Sequence, residues 1–325
     1  MNDILSLAAD NLLSPIILSF VLGLAAALGR SDLTVPEAAA KAMSIYLLFA
    51  IGFKGGASVA DHGLDAKLGL AILAGVILSF GLPFIAFGML RVMTGLSRTD
   101  AAAVAAHYGS ISIVTFVTAT SVLSGRGIEA EGYMVAVAAA MEAPAILSAL
   151  WIMARGGTGK MEPGLLREIL LNGSIVLLVG SFLIGGLTGA EGLAKIESFI
   201  VSPFQGVLCL FLLDMGLVAG RGLRGARSAG LGIGAIGFGV AMPVVGSLAG
   251  LALGMLIGLS TGGVALMMVL SASASYIAVP AAMRVALPEA NPSVYLTLSL
   301  GVTFPFNLVV GIPLYVAVAQ MIAGG

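Results

Sequence analysis

Ten apolar runs, most of them about 20 residues long, constrain this chain more than any other feature of its sequence. A helix rises about 1.5 Å per residue, so about 20 apolar residues cross the hydrocarbon core of a bilayer. The sequence therefore predicts an all-α polytopic membrane protein with ten transmembrane helices. The predicted spans are residues 13–28, 39–58, 67–92, 99–123, 131–154, 169–188, 203–219, 229–257, 262–284 and 292–322. Three prolines inside the spans are predicted kink points, namely Pro83, Pro243 and Pro305.

The composition agrees with a chain that lipid covers. Charged residues make up only 10% of the sequence, whereas soluble domains have about 25%. There is no basic run and no aromatic–basic interleaving, which argues against a nucleic-acid partner. The single cysteine, Cys209, cannot form an intramolecular disulfide, and no Cys/His spacing predicts a transition metal. The acidic start of the chain predicts a retained first span rather than a cleaved signal.

The distribution of positive charge predicts the orientation in the membrane. Of the fifteen Lys and Arg residues, eleven lie in the loops that follow odd-numbered spans or at the span ends next to these loops, and four lie on the other side. Cytoplasmic loops carry the excess of positive charge. We therefore expect both termini to be extracytoplasmic.

The two halves of the sequence resemble each other. The tripeptide Gly-Leu-Ser occurs at residues 95–97 and again at 258–260, and the same offset aligns the serine clusters of the fourth and ninth spans. With a small gap, further matches pair Pro83 with Pro243, Pro144 with Pro305, and Gly52 and Gly56 with Gly216 and Gly220. Because each half holds five helices, an odd number, the second half must be inverted relative to the first. The sequence thus predicts a five-helix repeat over 1–154, a cytoplasmic linker over 155–168 and an inverted repeat over 169–325, an arrangement typical of secondary transporters.

The fourth and ninth spans each contain a small polar cluster about ten residues after their start. The candidate substrate-binding residues in these clusters are Gly109, Ser110, Ser112, Ser273, Ser275 and Tyr276. Alternating small and hydroxyl residues lower helix propensity, and Pro280 has no amide to donate to the preceding helical turn. Both helices are therefore predicted to break near mid-membrane. The freed amides at a half-helix start favour an anion. The alternative is that these small residues only pack helices together.

Polar residues elsewhere in the spans are candidate cation ligands, since such residues are costly in a membrane. Glu142 stands two residues before Pro144, whose missing amide frees carbonyl oxygens; the alternative is a protonated, hydrogen-bonded Glu142. Thr303 and Asn307 flank Pro305 and offer neutral oxygens for a second cation, or polar contacts between helices. Two further candidate cation ligands are Tyr108 and Asp214.

Two other ionisable residues leave alternatives open. Lys54 can attract an anion, pair with Asp214, or extend to the membrane surface. His107 is a proton carrier or a packing histidine, and an intramembrane enzyme that uses His107 with a serine is an unfavoured alternative function. No GxxxxGK[ST] motif predicts ATP binding, so transport must draw on an ion gradient or on the substrate itself. Moving one negative charge inward against 100 mV costs roughly 2.3 kcal/mol, which a co-transported cation removes.

Several stretches resemble the sodium-dependent bicarbonate transporters first recognised in cyanobacterial carbon concentration. The stretches are residues 271–293, SASASYIAVPAAMRVALPEANPS, residues 311–320, GIPLYVAVAQ, residues 36–38, PEA, residues 51–56, IGFKGG, and residues 141–144, MEAP. The resemblance implies ten helices in two inverted repeats, with elevator-type core and gate domains. It also implies a homotrimer in the bacterial cytoplasmic (inner) membrane, and a PII-like regulatory protein on its cytoplasmic face.

On this resemblance the chain is predicted to take up bicarbonate by alternating access, with sodium as the coupling ion and no other cofactor. It is predicted not to be an enzyme. The anion site of the family lies between the two broken core helices, which places it here at the two serine clusters. The alternative within the same class is a sodium-coupled symporter of another small anion, such as a short carboxylate.

Overall fold

The computed structural model describes residues 13–62, 66–142, 144–154, 171, 173–226, 231–276, 279–280, 282–283 and 287–323. Every regular element within these ranges is a helix. The predicted linker, residues 155–168, lies outside the described residues.

Seven helices form the first half of the chain. They are α1 Pro15–Leu28, α2 Glu37–His62, α3 Ala66–Met93, α4 Arg98–Gly109, α5 Ile113–Gly125, α6 Met134–Ala140 and α7 Pro144–Ala154. The second half contains α8 Gly173–Ile200, α9 Phe204–Ala226, α10 Ile233–Ile257, α11 Thr261–Ala272, α12 Pro292–Leu296, α13 Phe304–Phe306 and α14 Ile312–Ala323. Two π-helical segments, Thr297–Thr303 and Asn307–Gly311, flank α13 and join α12 to α14.

Eight helical stretches of the described chain are long and apolar enough to cross a membrane. Two further apolar helices are shorter: α1, within the first predicted span, and α11, which begins the ninth. The 14 residues of α1 extend only about 21 Å at 1.5 Å per residue. The chain is therefore a multi-pass helical protein, and the number of ten spans stays a prediction.

The predicted proline kinks have different outcomes. Helices α3 and α10 are each continuous across their proline, Pro83 and Pro243. Pro305 instead lies in the short α13, between the two π-helical segments.

The sixth span departs from its predicted boundary. Its predicted end at residue 188 is where the backbone leaves helical geometry, because Gly189 has a φ of 58° and a ψ of −155°. Only glycine adopts this conformation at low cost. The helix then resumes as far as Ile200, where the Tyr46 hydroxyl of α2 donates to the Phe199 carbonyl at 2.6 Å. The kink thus turns an additional helical segment back onto α2.

Helices α1, α2, α8 and α9 pack as one group, in which glycines allow close backbone approach. On the contact between α1 and α9, a Cβ at Gly216 would overlap the Phe20 carbonyl oxygen. On the contact between α2 and α8, a Cβ at Gly56 would overlap the Phe182 carbonyl oxygen. The second span of each half therefore packs against the first span of the other half.

Helices α3, α4, α7, α10 and α11 form a second group. All residues from Ala101 to Gly109 in α4 are buried, as are those from Gly262 to Ala272 in α11. Both helices are thus surrounded by protein. Non-helical backbone at their ends is tolerated there, because it does not face lipid.

Candidate functional site

The fourth predicted span is interrupted, as the sequence predicts. Helix α4 ends at Gly109, Ser110 is extended with a φ of −89° and a ψ of 160°, and α5 begins at Ile113. Ser112 caps the new helix, since its hydroxyl accepts the Thr115 amide at 3.2 Å. The first residues of α5 therefore start next to this cap, inside the protein.

The ninth predicted span is interrupted in the same way. Helix α11 ends at Ala272, and Ser273 is extended with a φ of −84° and a ψ of 163°. Residues 273–275 are not helical, and helical backbone returns at residues 279–280. Both α4 and α11 have 12 residues and begin with a serine cap, Ser97 and Ser260. The matched serines of the two halves thus hold matched positions at the helix ends.

The two interruptions cross and contact each other directly. The Ser112 amide donates to the Ser273 hydroxyl at 3.0 Å, across 161 positions of sequence. The Ser275 amide donates to the His107 carbonyl at 2.8 Å. Each non-helical segment thus donates a backbone hydrogen bond to the region of the other. The candidate substrate-binding residues lie together at this crossing.

Glu142 lies at a third interruption, next to the first. Helix α6 ends at Ala140, Met141 and Glu142 form a turn, and α7 begins at Pro144. The buried Glu142 accepts a hydrogen bond from the Ser110 hydroxyl at 2.9 Å. The Met141 carbonyl accepts from the Ser79 hydroxyl at 2.6 Å. The structure thus places the carboxylate beside the crossing; sequence reasoning missed this third break, although Pro144 signalled it.

Tyr108 of α4 and Thr303 of the last span are hydrogen-bonded to each other. Their hydroxyl oxygens are 2.7 Å apart, and Thr303 donates to the Gly239 carbonyl at 2.6 Å. Since the Thr303 proton goes to that carbonyl, Tyr108 is the donor in the pair. Both residues are buried, and their mutual bond ties α4 to the last span.

Asn307 connects the last span to the second interruption. Its Nδ2 donates to the carbonyl of Ala272, the final residue of α11, at 2.8 Å. The Tyr315 hydroxyl donates to Asn307 Oδ1 at 3.0 Å. Asn307 therefore satisfies one carbonyl that the interruption leaves free, and Tyr315 was not among the sequence candidates.

The two ring nitrogens of His107 differ, because one has a hydrogen-bond partner and the other has none among the described residues. Its Nδ1 lies 2.6 Å from the Ala103 carbonyl, and its ring stacks on Tyr295 at 4.5 Å between centroids. Its Nε2 is buried and has no hydrogen-bond partner among the described residues. The serine–histidine pair that an enzyme of the alternative type requires is therefore not formed in the described part of the chain.

Lys54 and Asp214 are not brought to the crossing. They lie on α2 and α9, in the first helix group. The Lys54 ammonium sits 4.3 Å from the centroid of the Phe204 ring, a cation–π contact. No ion pair joins Lys54 to Asp214 among the described residues. Asp214 lies two helical turns before Arg221 on α9.

The fold and the crossing define a class of protein. This is a multi-pass helical membrane protein with interrupted helices that meet in its interior, the arrangement in which secondary transporters hold their solutes. The sequence model of the Na⁺-dependent bicarbonate transporter superfamily matches residues 15–320, so the chain belongs to this superfamily. The resemblance seen in the sequence is thereby confirmed, and membership of a transporter family favours a carrier over an enzyme. A comparison with curated protein sequences finds no significant match.

Proposed function

We propose that this protein is a secondary carrier that takes up bicarbonate with sodium by alternating access. One observation carries the proposal: the Ser112 amide donates to the Ser273 hydroxyl, so two helix interruptions remote in sequence meet between buried helices. Interrupted helices that meet inside a membrane protein bind solutes with their exposed amides and carbonyls. The membership of the chain in the bicarbonate transporter superfamily supports this substrate.

The proposed anion site uses neutral donors. It lies at the crossing, among residues Gly109, Ser110, Ser112, Ser273, Ser275 and Tyr276. Helix α5 starts at the crossing, and the positive end of its dipole favours an anion there. Buried polar residues of the described chain include no Lys or Arg. Since no fixed cation neutralises the anion, a co-transported cation is the natural source of positive charge.

The proposed cation ligands surround the same crossing. Glu142 supplies a carboxylate beside Ser110, while Tyr108, Thr303 and Asn307 supply neutral oxygens from α4 and the last span. Oxygen ligands of this kind suit a hard cation such as sodium. Glu142 is the main proposed cation ligand, because it supplies the carboxylate charge and because a cation bound to it would lie next to the anion.

The division into two helix groups supports an elevator-type movement. We propose that α1, α2, α8 and α9 form the gate domain and that the group around α4 and α11 forms the moving core. A cavity of 710 Å³ is lined by α2 of the first group, by the end of α5 with the loop that follows it, and by Ser260 at the start of α11 in the second group. Thr120 lines this cavity and lies roughly 12 Å along α5 from Ser112 at 1.5 Å per residue. This cavity is the proposed access route.

Uptake into proteoliposomes tests the proposal. Labelled bicarbonate is expected to accumulate only with an inward sodium gradient, and an equal potassium gradient is the control. Unlabelled acetate in excess is expected to leave the uptake nearly unchanged. Uptake that acetate abolishes would reassign the substrate to a short carboxylate, and uptake that ignores sodium would reject the coupling.

Assembly, location and regulation follow the family and are also proposals. We propose a homotrimer in the bacterial cytoplasmic membrane, with both termini outside and a PII-like protein as a partner on the inside. Exposed apolar side chains on α8, such as Leu183 and Leu187, suit contact with lipid or another subunit. Native mass spectrometry of the detergent-extracted protein measures the subunit number. A monomer under mild conditions would reject the trimer.

A further inference from the structure

The hydroxyl groups at the crossing are not equivalent, because some already donate a hydrogen bond within the protein. The Ser110 hydroxyl donates to Glu142 at 2.9 Å. The Ser273 hydroxyl donates to the Leu270 carbonyl at 2.9 Å while it accepts the Ser112 amide. A serine hydroxyl has only one proton to donate. Ser110 and Ser273 therefore have no proton left for a bound anion.

Two other serines at the crossing keep their protons. The Ser112 oxygen accepts two hydrogen bonds from Thr115, one from its amide at 3.2 Å and one from its hydroxyl at 2.8 Å. The Ser275 oxygen accepts the Val279 amide at 3.5 Å. Neither Ser112 nor Ser275 donates its hydroxyl proton to any described residue. Within the described residues, both hydroxyl groups therefore keep a proton available at the point where the interruptions meet.

Tyr276 is the third free donor. The residue is 9% exposed, its hydroxyl is buried, and this hydroxyl has no hydrogen-bond partner in the described structure. The hydroxyl faces the Ser112 side chain. Because the Ser112 oxygen already accepts twice, it has no lone pair left for the Tyr276 proton. The ring packs edge-on against Phe304, with centroids 5.3 Å apart, which fixes the direction of the hydroxyl.

A buried donor without an acceptor costs free energy, and a bound ligand that accepts its hydrogen bond would remove that cost. We propose that Tyr276, together with Ser112 and Ser275, donates the side-chain hydrogen bonds that bind the anion, whereas Ser110 and Ser273 only hold the crossing together. The ligand class is a small oxyanion, since its oxygen atoms can accept hydrogen bonds from all three hydroxyl groups. This inference rests on the proposed function and assigns Tyr276 as an anion-binding residue of its site.

The test compares Tyr276→Phe with wild type in proteoliposomes, using sodium and labelled bicarbonate. The substitution removes only the hydroxyl and keeps the ring on Phe304. A hydrogen bond to a charged acceptor is strong, so the KM for bicarbonate is expected to rise about ten- to hundredfold. The sodium concentration for half-maximal uptake and the unfolding temperature without ligand are expected to stay at the wild-type values. Tyr46→Phe is the matched control, because its hydroxyl contacts Phe199, outside the site.

A second variant keeps the test decisive if Tyr276→Phe fails to fold. Ser275→Ala removes a free donor whose only contact is a long one, and the same rise in KM is expected. Unchanged KM in every folded variant of this pair would overturn the inference. So would a Ser273→Ala variant with unchanged stability and an equal rise in KM, because the Ser273 proton is already donated. Wild-type protein without sodium-dependent bicarbonate uptake would instead reject the proposed function itself.

Discussion

The amide of Ser112 donates to the hydroxyl of Ser273 at 3.0 Å, which joins two helix interruptions from opposite halves of the chain. Both residues are buried. Its loss would leave an amide without a partner in the interior of the protein. The stability of the crossing therefore depends on this bond.

Ser273→Ala is expected to lower the free energy of unfolding by about 1–3 kcal/mol, the cost of a buried unsatisfied donor. Ser271→Ala is the matched control, since the Ser271 hydroxyl donates to the Met267 carbonyl within its own helix at 2.8 Å. Thermal unfolding in detergent measures both variants. Equal unfolding temperatures for the two variants would show that the crossing does not depend on the Ser273 hydroxyl.

Glu142→Gln is expected to raise the sodium concentration for half-maximal uptake about tenfold or more, because it removes the ligand charge. The amide oxygen can still accept from Ser110, so the fold is expected to persist. Sodium titrations of uptake in proteoliposomes measure the change. Glu197→Gln serves as the control, because this exposed carboxylate lies on α8, in the other helix group. Normal sodium dependence in Glu142→Gln would remove Glu142 from the cation ligands.

Gly216→Ala is expected to destabilise the protein by about 1–3 kcal/mol, because the new methyl group would overlap the Phe20 carbonyl between α1 and α9. Gly206 on the same helix has open space around it, and Gly206→Ala is expected to be neutral or to stabilise by up to about 1 kcal/mol. Thermal unfolding of the two variants tests the pair. The packing of α1 on α9 would be looser than described if both variants behaved alike.

Glu131→Gln is expected to destabilise the start of α11 by about 1 kcal/mol, since a carboxylate at a helix N-terminus interacts with the dipole and the first amides. Glu131 accepts the Ser260 amide at 2.7 Å and the Ser260 hydroxyl at 2.9 Å. The unfolding temperature measures the effect, with Glu129→Gln as the neighbouring control. A decrease of the same size in both variants would indicate general surface charge rather than this cap.

Much of the site could be predicted from local sequence. Glycine, alanine and serine around Ser110 and Ser273 weaken a helix wherever they occur, and the serine caps at Ser97 and Ser260 mark the starts of α4 and α11. The break beside Glu142 was missed, although Pro144 could have signalled it. No local pattern distinguishes the π-helical turns around Asn307 from ordinary helix.

The sequence by itself determined the helical membrane class, the positions of two interruptions and the family, because length, hydropathy and helix propensity act over neighbouring residues. Only the tertiary structure decided that Lys54 packs on Phe204. It also decided that the buried Tyr276 hydroxyl has no hydrogen-bond partner among the described residues. Hydrogen bonding and charge pairing depend on a few ångströms between residues that are far apart in the chain. Those separations exist only once the helices have packed.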